Sequence, residues 1–454
     1  NSNDPNLAPH ALVQNAQSEL ATWEGLISAT SGALAPEKSY WYLIDVNPDG
    51  TYNTKSDSPG DLILNNKGDP VVIECLDVSE AKESLGIWTR PDGAMDNEVA
   101  VLKDKARKWA DSVRTKRISP TEAWYSVNST IMKTIEYPLM ATCICRKDMQ
   151  DIMRPILQAA LPKAKIQKHF PRKLVYGSLG SEGFGLRNPS TIQLIEHLHA
   201  IVCHSHRDSP SHDLHLHNME IVQCYVGSEK PFWDLPYKLY GPLAPTGWID
   251  FTWSELSETT LSLKGPLDTV KANQIGDVFL IDELIRLNWP IAKIQVVNNV
   301  RIYLGITLLS QCCNAAGTHI SSDVWRCHLN SVTLRPESWP SLKAPGPTAL
   351  RAWQDMLKEV FTLPATQYRQ LRSPLGPWKQ TADDSWRWWL DPSSNAVFEQ
   401  HRPSVWHKWT ALPLQYQQRR FRHTGLTRDS LPPLSQRSTV RVSGLTLRLL
   451  DIGT

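Results

Sequence analysis

The sequence contains no run of about 18 apolar residues, the length that a membrane-spanning helix needs, so no membrane span or membrane partner is predicted. None of its eight cysteines forms a CxxC pair. A glycine-rich phosphate loop, a nucleophile elbow and a Ser/His/Asp arrangement are also missing. The common signatures of nucleotide-binding and hydrolytic sites are therefore absent.

A secretory leader is also missing, since the chain begins with Asn1 and shows no charged-then-apolar segment. We therefore expect a fragment of a longer protein. A chain of 454 residues can bury its own core without disulfides, so we expect reduced thiols and an intracellular location, in the cytoplasm, the nucleus or both.

Bulk composition is that of an ordinary globular protein, with 41% hydrophobic and 21% charged residues, and the length allows two to four domains. The charge is uneven. From Arg402 to the end, nine Lys/Arg stand against two Asp, which gives +7. Because the whole chain carries +2, the first 401 residues carry −5. This asymmetry is compatible with a polyanionic partner and equally with a solvated basic tail.

The first hundred residues predict a helix followed by a small sheet. Apolar residues recur every three or four positions from Leu12 to Ile27, and Gly32 and Pro36 end this helix. Short β-branched and aromatic runs then predict an antiparallel meander. Its strands are predicted at Tyr40–Val46, Asp61–Leu64, Val71–Cys75 and Leu85–Trp88.

Helical patterns dominate the remainder. Met95–Arg114 is amphipathic, and Ser119-Pro-Thr-Glu122 has the residues of a capping box with proline at the first helical position. A further helix at Lys147–Ala160 is expected to be interrupted by Pro155. Four prolines between Pro336 and Pro347 predict a linker before a tryptophan-rich segment.

Several short motifs follow one another in the first half of the chain. They are Trp23, Gly32-Ala-Leu34, Lys38-Ser-Tyr40, Leu85-Gly-Ile87, Tyr137-Pro-Leu139, Pro171-Arg172, Gly183-Phe-Gly-Leu186 and Arg301-Ile-Tyr-Leu-Gly-Ile-Thr307. In this order and spacing the chain resembles the reverse transcriptases of non-LTR-type retrotransposons of single-celled eukaryotes, over about residues 10–330. The aromatic-x-Asp-Asp hairpin of that family is absent, because the only Asp-Asp, Asp383-Asp384, belongs to another context.

The resemblance implies an α+β, mostly helical fold, in which a small antiparallel remnant of the palm precedes a helical thumb and a helical extension. The implied domains are 1–93 (end of the palm), 94–189 (thumb), 190–335 (extension, histidine-rich at its start), 336–347 (linker) and 348–454 (tryptophan-rich module with a basic tail).

The implied activity is RNA-directed DNA synthesis, in which two Mg²⁺ ions assist nucleotidyl transfer on an RNA template and a DNA primer. The metal-binding aspartates would lie upstream of Asn1. We therefore expect this fragment to be inactive alone, and to hold neither catalytic Mg²⁺ nor any other cofactor.

Four site residues follow from the resemblance. Lys38 resembles the lysine near the incoming triphosphate, where a cation or proton donor helps pyrophosphate leave. Leu85, Gly86 and Ile87 resemble the primer-grip hairpin, whose glycine permits close approach of the backbone to the primer end. The alternatives are an exposed turn lysine and an ordinary β-turn glycine.

Two groups of basic residues are candidates for holding the duplex, because phosphate contacts need spaced cations and carry no sequence code. The first contains Lys103, Lys105, Arg107, Lys108, Arg114, Lys116 and Arg117, with Asp104 and Asp111 among them. The second, Lys163, Lys165, Lys168, Arg172 and Lys173, contains no acid. The alternative for both is a charged solvent-exposed face.

Two other functions remain open. Seven histidines between His197 and His217, with Cys203 and Cys224, are compatible with a zinc-containing interaction protein, although their spacing fits no zinc knuckle or finger. A non-catalytic nucleic-acid-binding module is the second alternative. The tryptophans at 378, 386, 388, 389, 406 and 409 are compatible with base stacking beside Arg387, Arg402 and Lys408, and more often such residues form a core.

Overall fold

The computed structural model describes most of the chain. The described residues are 9–44, 60–66, 69–205, 209–263, 267, 270, 272, 274–314, 317–328, 339–340, 342, 344–364, 369–376, 387–391, 396–402 and 405–410. Between residues 387 and 410 the description covers the backbone alone.

The chain divides into two compact units, residues 1–193 (unit 1) and residues 194–454 (unit 2). The structure is 57% helix and 10% strand, with small sheets, which confirms the prediction of an α+β, mostly helical chain. The division lies close to the boundary predicted between residues 189 and 190. No helix in the described ranges combines the length and the apolar composition needed to cross a lipid bilayer.

Unit 1 begins with helix α1 (Pro9–Ala29), which covers one face of a three-stranded sheet. The strands are β1 (Tyr40–Tyr42), β2 (Leu62–Asn66) and β3 (Asp69–Leu76), in the order β1-β3-β2. Alternate residues of β2 and β3 point toward α1, where Leu62, Leu64 and Ile73 pack against Val13. The period-two pattern of these strands therefore forms this small core.

The predicted antiparallel meander is correct for β2 with β3, and wrong for β1, which pairs with β3 in parallel. Tyr40 lies opposite Glu74, and Tyr42 lies opposite Leu76. A parallel pair needs a long connection between its strands, and here β2 is part of that connection. Local sequence patterns do not distinguish this arrangement from a meander.

A separate hairpin follows, formed by β4 (Lys82–Ser84) and β5 (Ile87–Thr89). The strand predicted at Leu85–Trp88 begins two residues too early, because Leu85 and Gly86 form the turn. Both residues have positive φ, 50° and 81°, as the two central residues of a type I′ turn require. Glycine adopts this conformation readily, whereas leucine does so at a cost in strain.

The rest of unit 1 is helical. Its helices are α2 (Asp96–Thr115), α3 (Pro120–Ser126), α4 (Met132–Glu136), α5 (Arg146–Lys163) and α6 (Arg172–Tyr176), with a π-helical turn (Val127–Ile131) joining α3 to α4. The predicted capping box is confirmed: the Glu122 N–H donates to Ser119 Oγ (3.2 Å), and the Ser119 N–H donates to Glu122 Oε2 (2.7 Å).

The predicted interruption of the third helix at Pro155 is wrong, because α5 continues through it to Lys163. Proline inside a helix removes one backbone hydrogen bond and costs about 3 kcal/mol. One face of α5 is buried along its length, including Ile152, Met153, Ile156 and Leu157 on either side of the proline. Tertiary packing therefore outweighs the local penalty.

A tight loop from Gly177 to Leu186 folds back on α6. Gly183 lies against the backbone of Gly177, so closely that an added Cβ at Gly183 would stand 2.3 Å from the Gly177 carbonyl carbon. The Phe184 N–H donates to the Leu174 carbonyl (2.9 Å), and the Gly185 N–H donates to the Gly177 carbonyl (2.8 Å). The spacing of glycines in this segment therefore serves a backbone crossing.

Unit 2 has one large apolar core that most of its helices share. The helices are α7 (Pro189–Ser205), α8 (Pro210–Val226), α9 (Tyr237–Tyr240), α10 (Trp248–Ser257), α11 (Leu280–Arg286), α12 (Ile291–Leu304), α13 (Ser322–Arg326) and α14 (Pro347–Met356). Trp253, Trp353 and Phe232 are among its largest fully buried side chains.

Arg301 of α12 is completely buried in this unit. Its guanidinium donates to the Ile306 carbonyl (2.8 Å), to Asn298 Oδ1 (2.7 Å) and to the carbonyls of Cys224 and Tyr225 near the end of α8. Burial lowers its pKa to about 10, so the group stays charged at neutral pH. A helix C-terminus favours a cation, and carbonyl oxygens replace the carboxylate that a buried arginine usually has.

The chain beyond the predicted linker contributes to the same core. In α14, Trp353 and Met356 are fully buried among side chains of unit 2, and Trp353 Nε1 donates to the Val324 carbonyl (3.0 Å). Residues 347–361 therefore pack with residues 194–326 rather than apart from them.

The tryptophan-rich segment contains a three-stranded antiparallel sheet. Its strands are β6 (Arg387–Asp391), β7 (Ala396–Arg402) and β8 (Val405–Thr410), in sequence order. Trp378, Trp386 and the basic tail from residue 411 lie outside the described residues, as do the side chains of Trp388, Trp389, Trp406 and Trp409. The choice between base stacking and a tryptophan core therefore stays open.

Candidate nucleic-acid interface

Helices α2 and α5 lie side by side and run in the same direction. Lys103 Nζ is 2.8 Å from Asp148 Oδ1 near the start of α5, and Lys163 Nζ donates to the Lys116 carbonyl oxygen (2.9 Å) where both helices end. Ala110, Val113 and Ala159 pack together between these points. The two C-termini are therefore neighbours, although 47 residues separate Lys116 from Lys163.

This arrangement merges parts of the two predicted basic groups at one end of the helix pair, which we call the cationic end. Its members are Arg114, Lys116, Arg117, Lys163, Lys165, Lys168, Arg172 and Lys173. No Asp or Glu occurs between residues 152 and 181. Asp111 is the acid that contacts the set, 2.7 Å from Arg114.

Part of this charge has a structural purpose. A helix C-terminus carries about half a negative charge, so two adjacent termini favour nearby cations. Lys163 answers that need directly by binding the Lys116 carbonyl, and Arg172 Nη2 donates to the Lys168 carbonyl (3.4 Å). Two helix ends neutralise about one unit of charge, whereas eight cations are present. The remaining positive charge is available to a polyanion.

Four lysines of the cationic end are exposed: Lys116, Lys165, Lys168 and Lys173. Among the described residues none of them has a carboxylate within ion-pairing distance, and the same holds for exposed Arg117. Lys165 has φ +62°, in the loop that directly follows α5. Side chains on such a loop are the most accessible part of the set.

The structure separates Lys103 from the cationic end. Its ammonium group bridges Asp148 (2.8 Å) and Asp151 (3.8 Å) and is about three-quarters covered. The hydrogen bond from Lys103 is the main reason that the pKa of Asp148 is lowered. Lys103 joins α2 to α5, so the interface proposed below omits it.

The middle of α2 presents a mixed face. Lys108 pairs with Asp104 at 2.7 Å, in an exposed i,i+4 contact. Lys105 and Arg107 are exposed, and no ion pair involves them within the described ranges. Arg107 is therefore available, although it stands apart from the cationic end by about two helical turns.

The β4–β5 hairpin, which contains the predicted primer-grip residues, is supported at two places by helices. Near its base the Trp88 N–H donates to Glu98 Oε2 of α2 (2.8 Å). At its turn, the Tyr137 hydroxyl donates to the Leu85 carbonyl (2.7 Å). Burial raises the pKa of Glu98, which is 1% exposed. The turn is therefore fixed while the Leu85 side chain, 87% exposed, projects into solvent.

Tyr137 and Glu98 are functional candidates that the sequence did not identify. Tyr137 lies 52 residues from Leu85, and no local pattern connects a tyrosine at a helix end with a distant turn. A glutamate in the first turn of a helix is ordinary, since it favours the positive end of the helix dipole. Its burial was the unexpected part.

Lys38 lies at the end of a short 3₁₀ turn (Pro36–Lys38) directly before β1. Its side chain is exposed, whereas Pro36 in the same turn is buried. The position leaves the ammonium group accessible to a ligand and is equally typical of a surface turn. The role suggested by the resemblance stays a prediction.

The histidine-rich segment forms a packed aromatic seam between α7, α8 and α10. The His197 ring lies 4.4 Å from Trp248, and the His215 ring lies 5.3 Å from Trp248 and 5.4 Å from His204. His197 Nδ1 is 2.9 Å from Thr252 Oγ1, which itself donates to the Trp248 carbonyl. No group of three or more potential ligands suits a metal ion within the described residues. His206 lies outside them.

This seam predicts a pH dependence of stability. Burial lowers the pKa of His215, and the charges of His204 and His212 lower it further. The unfolded chain then binds a proton more tightly than the folded chain, so stability contributed by this group is lost as pH falls below about 6.5. His215→Gln should reduce the loss of unfolding free energy between pH 7.5 and 5.5, measured by urea denaturation.

The matched control is His199→Gln, an exposed histidine on α7. It should leave the pH dependence as in the parent chain. Equal pH dependence in all three proteins would show that His215 does not contribute.

Comparisons with known proteins identify no relative: no protein-family model, no curated protein and no solved structure matches the chain. The function must therefore be inferred from the sequence motifs and the geometry of unit 1.

Proposed function

We propose that this chain is the C-terminal part of a retrotransposon-encoded RNA-directed DNA polymerase, in which unit 1 holds the template–primer duplex. The observation that carries the proposal is the cationic end. Two segments separated in the sequence meet there, and the segment that follows α5 has five cations and no acid. A duplex is recognised mainly through its phosphates, which this arrangement suits.

The order of elements supports the same assignment. In the resembling family a helix, a glycine-containing turn, a small sheet and a hairpin precede a helical thumb. Here α1, the turn at residues 30–38, the β1–β3 sheet and the β4–β5 hairpin precede α2–α6. In this proposal α1 and the strands are the end of the palm, and α2–α6 are the thumb.

In the intact polymerase two Mg²⁺ ions, held by aspartates of the preceding segment, would activate the primer hydroxyl and stabilise the leaving pyrophosphate. The present residues would position the duplex, and Lys38 would assist the departure of pyrophosphate. The same interface also supports the second candidate, a module that binds nucleic acid without catalysis. In either case the chain alone binds a duplex and does not extend it.

The test is binding of a fluorescent template–primer across a salt series, with Lys165→Gln/Lys168→Gln/Lys173→Gln beside the parent chain. Lys163 is retained because it binds the Lys116 carbonyl. We expect roughly tenfold weaker binding at low salt. The slope of log affinity against log salt should become shallower by about 0.9 for each phosphate that no longer meets a lysine.

The matched control removes three exposed lysines of unit 2, Lys230, Lys238 and Lys293, and so changes the net charge equally. Its affinity should stay within about twofold of the parent. Equal weakening by both triple variants would show that net charge alone drives binding, and absence of binding at low salt would refute the proposed function.

A further inference from the structure

We propose that unit 1 holds its duplex at two points, the cationic end and the tip of the β4–β5 hairpin, and that helix α2 sets their separation at about eight base pairs. The ligand is then a nucleic-acid duplex with a free end and at least that length. This inference rests on the proposed function and adds to it a minimum duplex length and an end contact.

The first step is the separation along α2. The hairpin is anchored beside Glu98 through the Trp88 N–H (2.8 Å), and the end of α5 is anchored beside Lys116 through Lys163 (2.9 Å). Eighteen residues of helix at 1.5 Å each place these anchors about 27 Å apart. At about 3.4 Å for each base pair, this distance corresponds to about eight base pairs.

The second step is the chemistry of the tip. Leu85 is 87% exposed in a left-handed conformation that leucine rarely adopts. The Tyr137 hydroxyl holds its carbonyl, and the Tyr137 ring lies 3.5 Å from the position of a Cβ at Gly86. An apolar side chain is thus presented to solvent from a turn that is fixed on its other side.

The third step is the part of a duplex that such a tip can contact. Phosphates along the duplex carry charge and offer nothing to a leucine side chain. The last base pair exposes an apolar face, on which side chains stack or wedge. The tip is therefore assigned to the duplex end and the cationic end to phosphates about eight base pairs away.

The experiment measures affinity of the full chain for stem-loop DNAs with one open end and stems of 4–14 base pairs. We expect affinity to rise about tenfold as the stem passes 6–10 base pairs, where both contacts form together. A 14-base-pair dumbbell, closed by loops at both ends, should lack this gain because it has no terminal base pair to contact.

The variant is Leu85→Asn, because asparagine tolerates the left-handed conformation and leaves the turn intact. It should bind short stems like the parent and lose the gain on long stems. Leu179→Asn, at another exposed leucine of unit 1, should keep the gain. Tyr137→Phe, which keeps the ring and loses the hydroxyl, should reduce the gain while leaving short-stem affinity unchanged.

Two results would overturn the inference while the proposed function stands: a smooth increase with stem length and no step, or a step that Leu85→Asn and the dumbbell leave unchanged. No binding to any stem at low salt would refute the proposed function itself.

Discussion

Replacing Arg301 with methionine is expected to lower the free energy of unfolding of unit 2 by about 3–5 kcal/mol. Methionine fills a similar volume but offers no donor to the carbonyls of Cys224, Tyr225 and Ile306. Each buried carbonyl left without a donor costs about 1–3 kcal/mol, and removing a buried charge offsets part of that cost. Urea denaturation followed by tryptophan fluorescence measures the change.

The control for this variant is Arg286→Met on α11. Arg286 is exposed and pairs with Glu283 at i,i+3. Exposed pairs of this kind contribute about 0.5 kcal/mol or less. A loss at Arg301 no larger than the loss at Arg286 would show that the buried guanidinium does not hold α8 and α12 together.

Gly183→Ala is expected to destabilise unit 1 by about 3 kcal/mol or more, because the new methyl group would stand 2.3 Å from backbone atoms of Gly177. Backbone atoms cannot turn aside as a flexible side chain can. The loop must open, and its hydrogen bonds to the Leu174 and Gly177 carbonyls then break. Hydrogen–deuterium exchange of residues 174–186 should become faster.

Gly180→Ala is the matched control in the same loop, where an added Cβ meets no atom within 4 Å. Exchange in this variant should equal that of the parent or be slower, since alanine reduces the entropy of the unfolded chain. Equal destabilisation by both substitutions would mean that loop flexibility, and not the backbone crossing, explains the glycines.

Features set by adjacent residues were predictable from the sequence. The capping box at Ser119 and Glu122 is confirmed because a Ser-Pro-x-Glu segment contains all the groups that it needs. The α1 helix and the mostly helical class also follow from apolar spacing. Pro155 shows the limit of such reasoning, because the burial of α5 outweighs a local preference that the sequence states clearly.

Features that depend on distant residues were not predictable. The parallel pairing of β1 with β3, the contact of Tyr137 with Leu85, and the meeting of Lys116 with Lys163 all join residues more than 30 positions apart. The sequence identified both basic groups, but not that Lys103 is tied to Asp148 whereas the ends of the two groups converge. Composition shows which charges exist, and packing decides which of them a ligand can reach.

The parallel arrangement of α2 and α5 has a consequence for how unit 1 acquires its structure during synthesis. Antiparallel neighbours can pair as soon as a short loop is made, whereas α2 must wait until α3, α4 and α5 have all been produced. Until then Ala110 and Val113 have no partner on α5, and the hairpin beside Glu98 rests on an unsupported helix. We therefore expect a nascent chain that stops before Lys163 to leave residues 82–115 sensitive to protease, and a chain that passes it to protect them in one step.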